Sequence, residues 1–122
     1  MKRSITVILV CDHALVSRLL QARLNAAGIT CTVVNSAAVP TLRDPAVQGV
    51  LIDVVLVQTN GFAMLRALAL QVCCPLVLLS ASGRQSDLAW GRNAGASAVL
   101  TYPPDMEVLR DRLARGTCHA NH

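Results

Sequence analysis

Aromatic residues are nearly missing from this sequence: one Trp, one Tyr and one Phe in 122 residues. Proteins that hold single-stranded nucleic acid stack bases on aromatic rings, so that class has little to work with here. Long hydrophobic runs are missing too. Mean hydropathy is +0.49, yet the run from Ile5 to Cys11 stops at Asp12 and the run from Val50 to Val57 contains Asp53. Neither approaches the roughly 18 apolar residues that a membrane-spanning helix needs. Lys2 and Arg3 precede an apolar run too short for a signal peptide and without a small-residue cleavage site. The five cysteines (Cys11, Cys31, Cys73, Cys74, Cys118) are odd in number, and adjacent Cys73 and Cys74 make no C-x-x-C pair. Reduced thiols in a cytoplasmic protein are the expectation. No G-x-G-x-x-G or phosphate-loop pattern follows any candidate strand, which argues against a nucleotide cofactor.

What is present is a chain 53% hydrophobic and 15% charged, the make-up of one aliphatic-cored domain. Residues 1–122 are expected to form that single domain, with its core over about 4–115 and a flexible tail at 116–122. Eleven Lys plus Arg against seven Asp plus Glu give a net charge of +4. The arginines are scattered (Arg18, Arg43, Arg66, Arg92, Arg115), so direct nucleic-acid binding is not expected.

Along the chain, Ile5–Cys11 lacks polar alternation and predicts a strand covered on both faces. From Ala14 to Ala27, Leu15, Leu19, Ala22 and Ala26 share one side and Ser17, Arg18, Gln21 and Asn25 the other, which predicts an amphipathic helix, and Gly28 supplies a left-handed stop. Thr30–Val34 predicts a second strand and Ser36–Arg43 a weak helix interrupted by Pro40. A third strand is expected over Val50–Val57, then a loop and a markedly apolar helix over Phe62–Val72. Strands at Pro75–Leu79 and Ser97–Thr101 alternate with helices at Ser86–Ala94, closed by Gly95, and Asp105–Arg115. Five strands alternating with five helices, without hairpin signals, indicate an α/β fold with a doubly wound parallel sheet.

Ligand sites in such sheets lie beyond the carboxyl ends of the strands. The residues that matter are therefore Cys11-Asp12-His13, Asp53 to Gly61, Ser80-Ala81-Ser82 and Tyr102-Pro103-Pro104. Asp53 is the strongest of these. A carboxylate between Ile52 and Val54 in an apolar strand is destabilising unless it faces an open pocket or a partner.

From about Ser4 to Arg115 this sequence resembles the receiver domains of two-component response regulators. Cys11-Asp12 stands where that family has its acidic pair. Asp53 with Gly61 eight residues on matches the phosphoacceptor aspartate and its glycine. Ser80-Ala81 resembles the Thr/Ser-Ala motif, Gly95-Ala96 the Gly-Ala before the fifth strand, and Tyr102-Pro103 falls where the family has Lys-Pro. The resemblance implies a flavodoxin-like five-stranded parallel sheet in the order 2-1-3-4-5 with five helices. It also implies Asp53 as phosphoacceptor, Asp12 and Asp53 as ligands of Mg2+, and Ser80 as the phosphoryl-binding switch residue. The chain would act in signal transduction and not as an enzyme. Its implied partners are a histidine kinase or phosphotransfer protein, an output domain or other protein, and a second copy in a homodimer, with no membrane.

The departures shape the expectation further. Cys11 replaces the first carboxylate, Tyr102 the lysine, and Val99 the aromatic that rotates on activation, while Val57 stands where the loop usually has proline. A thiol is a soft ligand ill suited to magnesium. A phenol lacks the charge-assisted hydrogen bond of an ammonium, which is roughly twice as strong as a neutral one. A degenerate receiver with weakened Mg2+ binding and weak or absent phosphorylation at Asp53 is therefore expected. A working phosphoacceptor and a flavodoxin-like ligand-binding domain are the alternatives.

Plainer roles compete at several positions. Asp12 and Ser80 suit helix caps, Cys11 a small buried hydrophobe, and His13 a solvent-facing rim. Cys118, His119 and His122 offer three metal donors, one short of a closed zinc site. Trp90 suits either partial burial or a contact surface. Gly91 beside it is expected to weaken its helix by about 1 kcal/mol relative to alanine.

Overall fold

The computed structural model describes residues 5–37, 46–56, 59–81, 85–102 and 104–115. Its elements run β1 (Ile5–Val10), α1 (Ala14–Ala26), β2 (Ile29–Val34), β3 (Gly49–Asp53), α2 (Gly61–Ala69), β4 (Leu76–Ser80), α3 (Gln85–Ala94), β5 (Ala98–Thr101) and α4 (Met106–Arg115). All neighbouring strands pair in parallel, in the order β2-β1-β3-β4-β5. The expected α/β sheet and its strand order are both present. Among the described residues there are four helices instead of five. Of the helix expected over Ser36–Arg43, Ser36 and Ala37 form a turn, and positions 38–45 lie outside the described residues. The tail at 116–122 with Cys118, His119 and His122 lies outside them as well, as do Val57, Ser82 and Pro103. No helix among the described residues is long and apolar enough to cross a membrane.

Period-2 alternation divides the strand side chains between two cores. Val7, Leu9, Cys11, Leu51, Val77 and Leu79 pack with Leu20 and Leu24 of α1 and Leu109 and Leu113 of α4. Ile8, Val10, Val50, Ile52, Leu76 and Leu78 pack with Met64, Leu65 and Leu68 of α2 and Ala94 of α3. Burial on both faces is why the central strands read as unbroken apolar runs.

The apolar run at β3 outlasts the strand. Expected to Val57, it leaves the sheet at Asp53. Val54 N–H donates to the Leu79 carbonyl (3.1 Å), Gly61 N–H donates back to the Val54 carbonyl (2.8 Å), and Val55 bridges antiparallel to Asn60. The chain thus folds over on itself just past the sheet. Hydrophobicity says nothing about where a partner strand stops, and β4 stops one residue after the Leu79 that pairs with Asp53.

Gly28 (φ 82) and Gly95 (φ 110) take the left-handed conformation expected of them at helix ends. Gly91 has a different task. A β-carbon there would lie 2.5 Å from Val99 Cγ2 and 3.1 Å from Leu78 Cδ2, so α3 approaches β4 and β5 only because that side chain is missing. Trp90 beside it is 60% exposed and meets the Phe62 ring edge-on, centroids 5.7 Å apart. It is not a core residue.

The thiols of Cys11, Cys31 and Cys74 are free, and Cys118 lies outside the described residues. Burial pushes the Cys31 thiol up to about 11.

Two outcomes follow from this packing. Gly91→Ala should lower stability by about 1 kcal/mol net, because overpacking against stiff Val99 outweighs the gain in helix propensity. Urea unfolding measures it, and adding Val99→Ala should recover part of the loss. The raised Cys31 pKa means the unfolded chain ionises first, so its stabilisation is intact below pH 9 and declines towards pH 11. Over that window the wild type should lose about 2–3 kcal/mol more than Cys31→Val in matched urea titrations.

Candidate functional site

The register that pairs Val10 with Ile52 sets the next residue of each chain, Cys11 and Asp53, side by side at the carboxyl end of the sheet. Asp53 is half-buried, and each of its oxygens has a protein donor. Val55 N–H donates to Oδ1 (3.0 Å), and the Cys11 thiol, with one hydrogen to share between two acceptors, stands 3.6 Å from Oδ2 and 3.7 Å from the His13 carbonyl oxygen. Cys11 is only 5% exposed. Burial is the main cause that raises its pKa; the His13 main chain opposes this in part, and the Asp53 charge adds to it. Cys11 therefore stays a protonated donor at neutral pH, and the carboxylate it faces reinforces that state.

Asp12 follows Cys11 but is engaged elsewhere. Its Oδ1 accepts from Ser36 N–H and its Oδ2 from the Ser36 hydroxyl, both at 2.8 Å. The pairing closes the turn after β2 onto the end of β1, and Ser36 is buried by it. The helix-cap role considered for Asp12 is not the one it has: His13 occupies the N-cap of α1 without any side-chain cap bond. His13 itself is exposed at the rim, as expected.

Ser80 ends β4 almost fully buried (1% exposed), and its carbonyl accepts from Tyr102 N–H (3.0 Å). The described part of α3 starts at Gln85, and residues 82–84 before it lie outside the described residues. Tyr102 is half-buried and packs on the α1/α4 core with Val16, Val33 and Met106. Val99 faces the opposite layer, against α3. Of the residues singled out in the sequence, the structure thus puts Cys11 against Asp53, joins Ser80 to Tyr102 through the backbone, and ties Asp12 to Ser36.

Sequence reading missed two contributors. Ser36 left no signal, since its partner is 24 residues away. Asn60 did leave one: an Asn directly before a helix suits an N-cap, and its side chain accepts from Ala63 N–H (2.8 Å). Gly61 was noted for its position, but the reason for it is contact. A β-carbon there would lie 2.6 Å from both the Asp53 carbonyl oxygen and Val54 Cα.

A hard divalent cation such as magnesium prefers several oxygen ligands, mostly carboxylate and water. The donors here do not fit it as arranged. One is a neutral thiol, both Asp12 oxygens are turned to Ser36, and among the described residues no group of three or more His, Cys, Asp and Glu side chains is placed to hold a metal.

No family model matches this chain. Among curated proteins it is similar to protein PilH of Pseudomonas aeruginosa, 33% identical over 63 residues, which are 49% of this chain and 52% of that protein. The match therefore spans about half the length of that relative. Among solved structures it is similar to a protein of Chloroflexus aurantiacus assigned as a response regulator, with TM-score 0.79 and 24% identity over 93% of this chain and 100% of that one. It is similar also to the receiver domain of the Saccharomyces cerevisiae response regulator Ssk1, solved with the histidine phosphotransfer protein Ypd1. That likeness has TM-score 0.74 and 19% identity over 91% of this chain and 87% of that one. The fold is that of response regulator receiver domains.

Gly61→Ala should lower stability by about 2 kcal/mol or more, since the added carbon meets backbone that cannot rotate aside. The loss, read by urea unfolding, should exceed that of Gly91→Ala, where the obstacle is a side chain.

Proposed function

We infer that this chain is a receiver domain of the response-regulator class, working in two-component or phosphorelay signalling mainly through protein contacts, with phosphorylation at Asp53 weak or absent. The observation that carries this reading is the Cys11–Asp53 pair. A carboxylate sits at the phosphoacceptor position at the end of the central strand, yet one of its oxygens faces a thiol (3.6 Å) where the family pattern has a second carboxylate. Two further features support it. Tyr102 has its ring packed with the core in place of a lysine reaching the pocket. Val99 lies against Gly91, where an aromatic would rotate.

The chemistry left to the site is limited. An acceptor carboxylate must present a lone pair in line with the phosphorus while positive charge offsets the phosphoryl oxygens. Cys11 supplies a neutral donor on Oδ2, Val55 N–H a neutral donor on Oδ1, and Tyr102 a phenol and no charge. Attack is therefore slow and the modified state weakly held. The domain performs no turnover of its own and is not an enzyme. It is cytoplasmic, and its partners are a histidine kinase or phosphotransfer protein, an output domain or other protein, and a second copy of itself. The exposed apolar side chains Leu15 and Leu19 on α1, Leu70 after α2 and Trp90 on α3 suit such contacts.

Incubation with acetyl phosphate and magnesium, followed by intact mass, tests the reading. The expected result is no phosphoryl adduct, or a minor one absent from Asp53→Asn. A full adduct that disappears in Asp53→Asn would instead establish a working phosphoacceptor.

A further inference from the structure

The amino end of the sheet, opposite Asp53, carries an open groove of about 570 Å³. Ile5 at the start of β1, Cys73 and Pro75 ahead of β4, and Leu113 and Ala114 in the last turn of α4 line it. Leu113 also packs on Gly49, where β3 begins, so α4 ends over the strand starts and delivers the chain to the groove. Cys118 is three positions past Arg115, the last residue of α4. Three extended residues reach about 10 Å at roughly 3.3–3.6 Å each, about the distance across a groove of this volume. The cysteines differ in what can reach them. Cys11 and Cys31 are each 5% exposed; Cys74 borders the groove but packs against the α2/α3 core, and burial raises its pKa. All three are free thiols. Cys73 is exposed, and it shares the groove with the end of α4.

We propose that Cys73 and Cys118 form a redox-sensitive disulfide that seats this chain's own segment 116–122 in the groove at the amino end of the sheet. The oxidant is a small-molecule disulfide of the glutathione type. In the reduced chain the Cys73 thiolate attacks one sulfur of that disulfide, forming a mixed disulfide and releasing one glutathione thiolate; the Cys118 thiolate then attacks the Cys73 sulfur and releases the second. One S–S bond forms in the chain as the oxidant's S–S bond breaks, two electrons pass to glutathione, and the two thiol protons end on the released thiolates. The segment suits the seat. Gly116 permits a turn directly after the helix, and positions 116–122 carry no Lys, Arg, Asp or Glu that would have to be desolvated beside Arg110 and Asp111 of the groove wall. The link closes a loop of about 45 residues, which restrains the unfolded chain more than the folded one. In a reducing compartment it opens and closes with the thiol–disulfide poise. The groove and Asp53 are at opposite ends of the sheet, so the pairing is independent of the phosphoacceptor chemistry.

Oxidation of the reduced whole chain in glutathione buffers, followed by acid quenching, alkylation and tryptic mapping, tests the pairing. The expected product is a monomer in which fragment 67–84 is joined to fragment 116–122. Cys74→Ser should form it equally well, and Cys73→Ser and Cys118→Ser should not form it. A link within fragment 67–84, a link between two chains, or a glutathione adduct that persists without closing overturns the proposal. Seating in the groove is read from the equilibrium with glutathione. The effective concentration of the two thiols should be at least about tenfold higher in the native chain than in concentrated urea. Equal values in the two solvents overturn the seat.

Discussion

The register of β1 against β3 governs the chemistry at the end of this sheet. Pairing Val10 with Ile52 places the residues that follow them in contact, so the identity of residue 11 decides what Asp53 meets. A one-residue slip would turn every side chain of β1 to the other face, moving Leu9 and Cys11 out of the α1/α4 core and Ile8 and Val10 into it. Both faces are fully packed, so the register is held by the whole core, and the Cys11–Asp53 contact is a product of that packing.

Given that register, the polar groups at the sheet end are satisfied by neutral donors from the chain itself. Asp53 takes the Cys11 thiol and the Val55 N–H; Asp12 takes Ser36 twice. Among the described residues, backbone and side-chain hydrogen bonds serve each carboxylate separately, and Tyr102 belongs to the apolar layer. The loop that carries Asp53 is held in the same local way, by Gly61 closing on Val54 and by Asn60 capping α2.

Much of the fold could be read in advance because its signals are local. Unbroken aliphatic runs marked the buried strands, Gly28 bounded α1 and Gly95 closed α3, but the face of α1 read as apolar from Leu15 and Leu19 is exposed, and Ser17, Leu20 and Leu24 are buried instead. The reading failed where the cause lay far away in sequence. β3 ends at Asp53 because β4 ends nearby, which no property of Val54 to Val57 reveals. Gly91 read as a weak point in a helix but is the gap that Val99 fills. At the site, Asp53 stood out as a charge inside an apolar strand. The engagement of Asp12 was hidden, since a serine beyond the next strand determines it. Its mapping as a cation ligand came from family resemblance, which carries a residue's position but not the direction of its side chain.

The edge-on pair of Phe62 and Trp90 has a use unrelated to stability. Trp90 is the sole indole in the chain, it stands largely in solvent, and its neighbour ring belongs to a different helix. Its ultraviolet emission is thus a native optical gauge of the spacing between α2 and α3, readable in unlabelled protein whenever something settles on that side of the molecule.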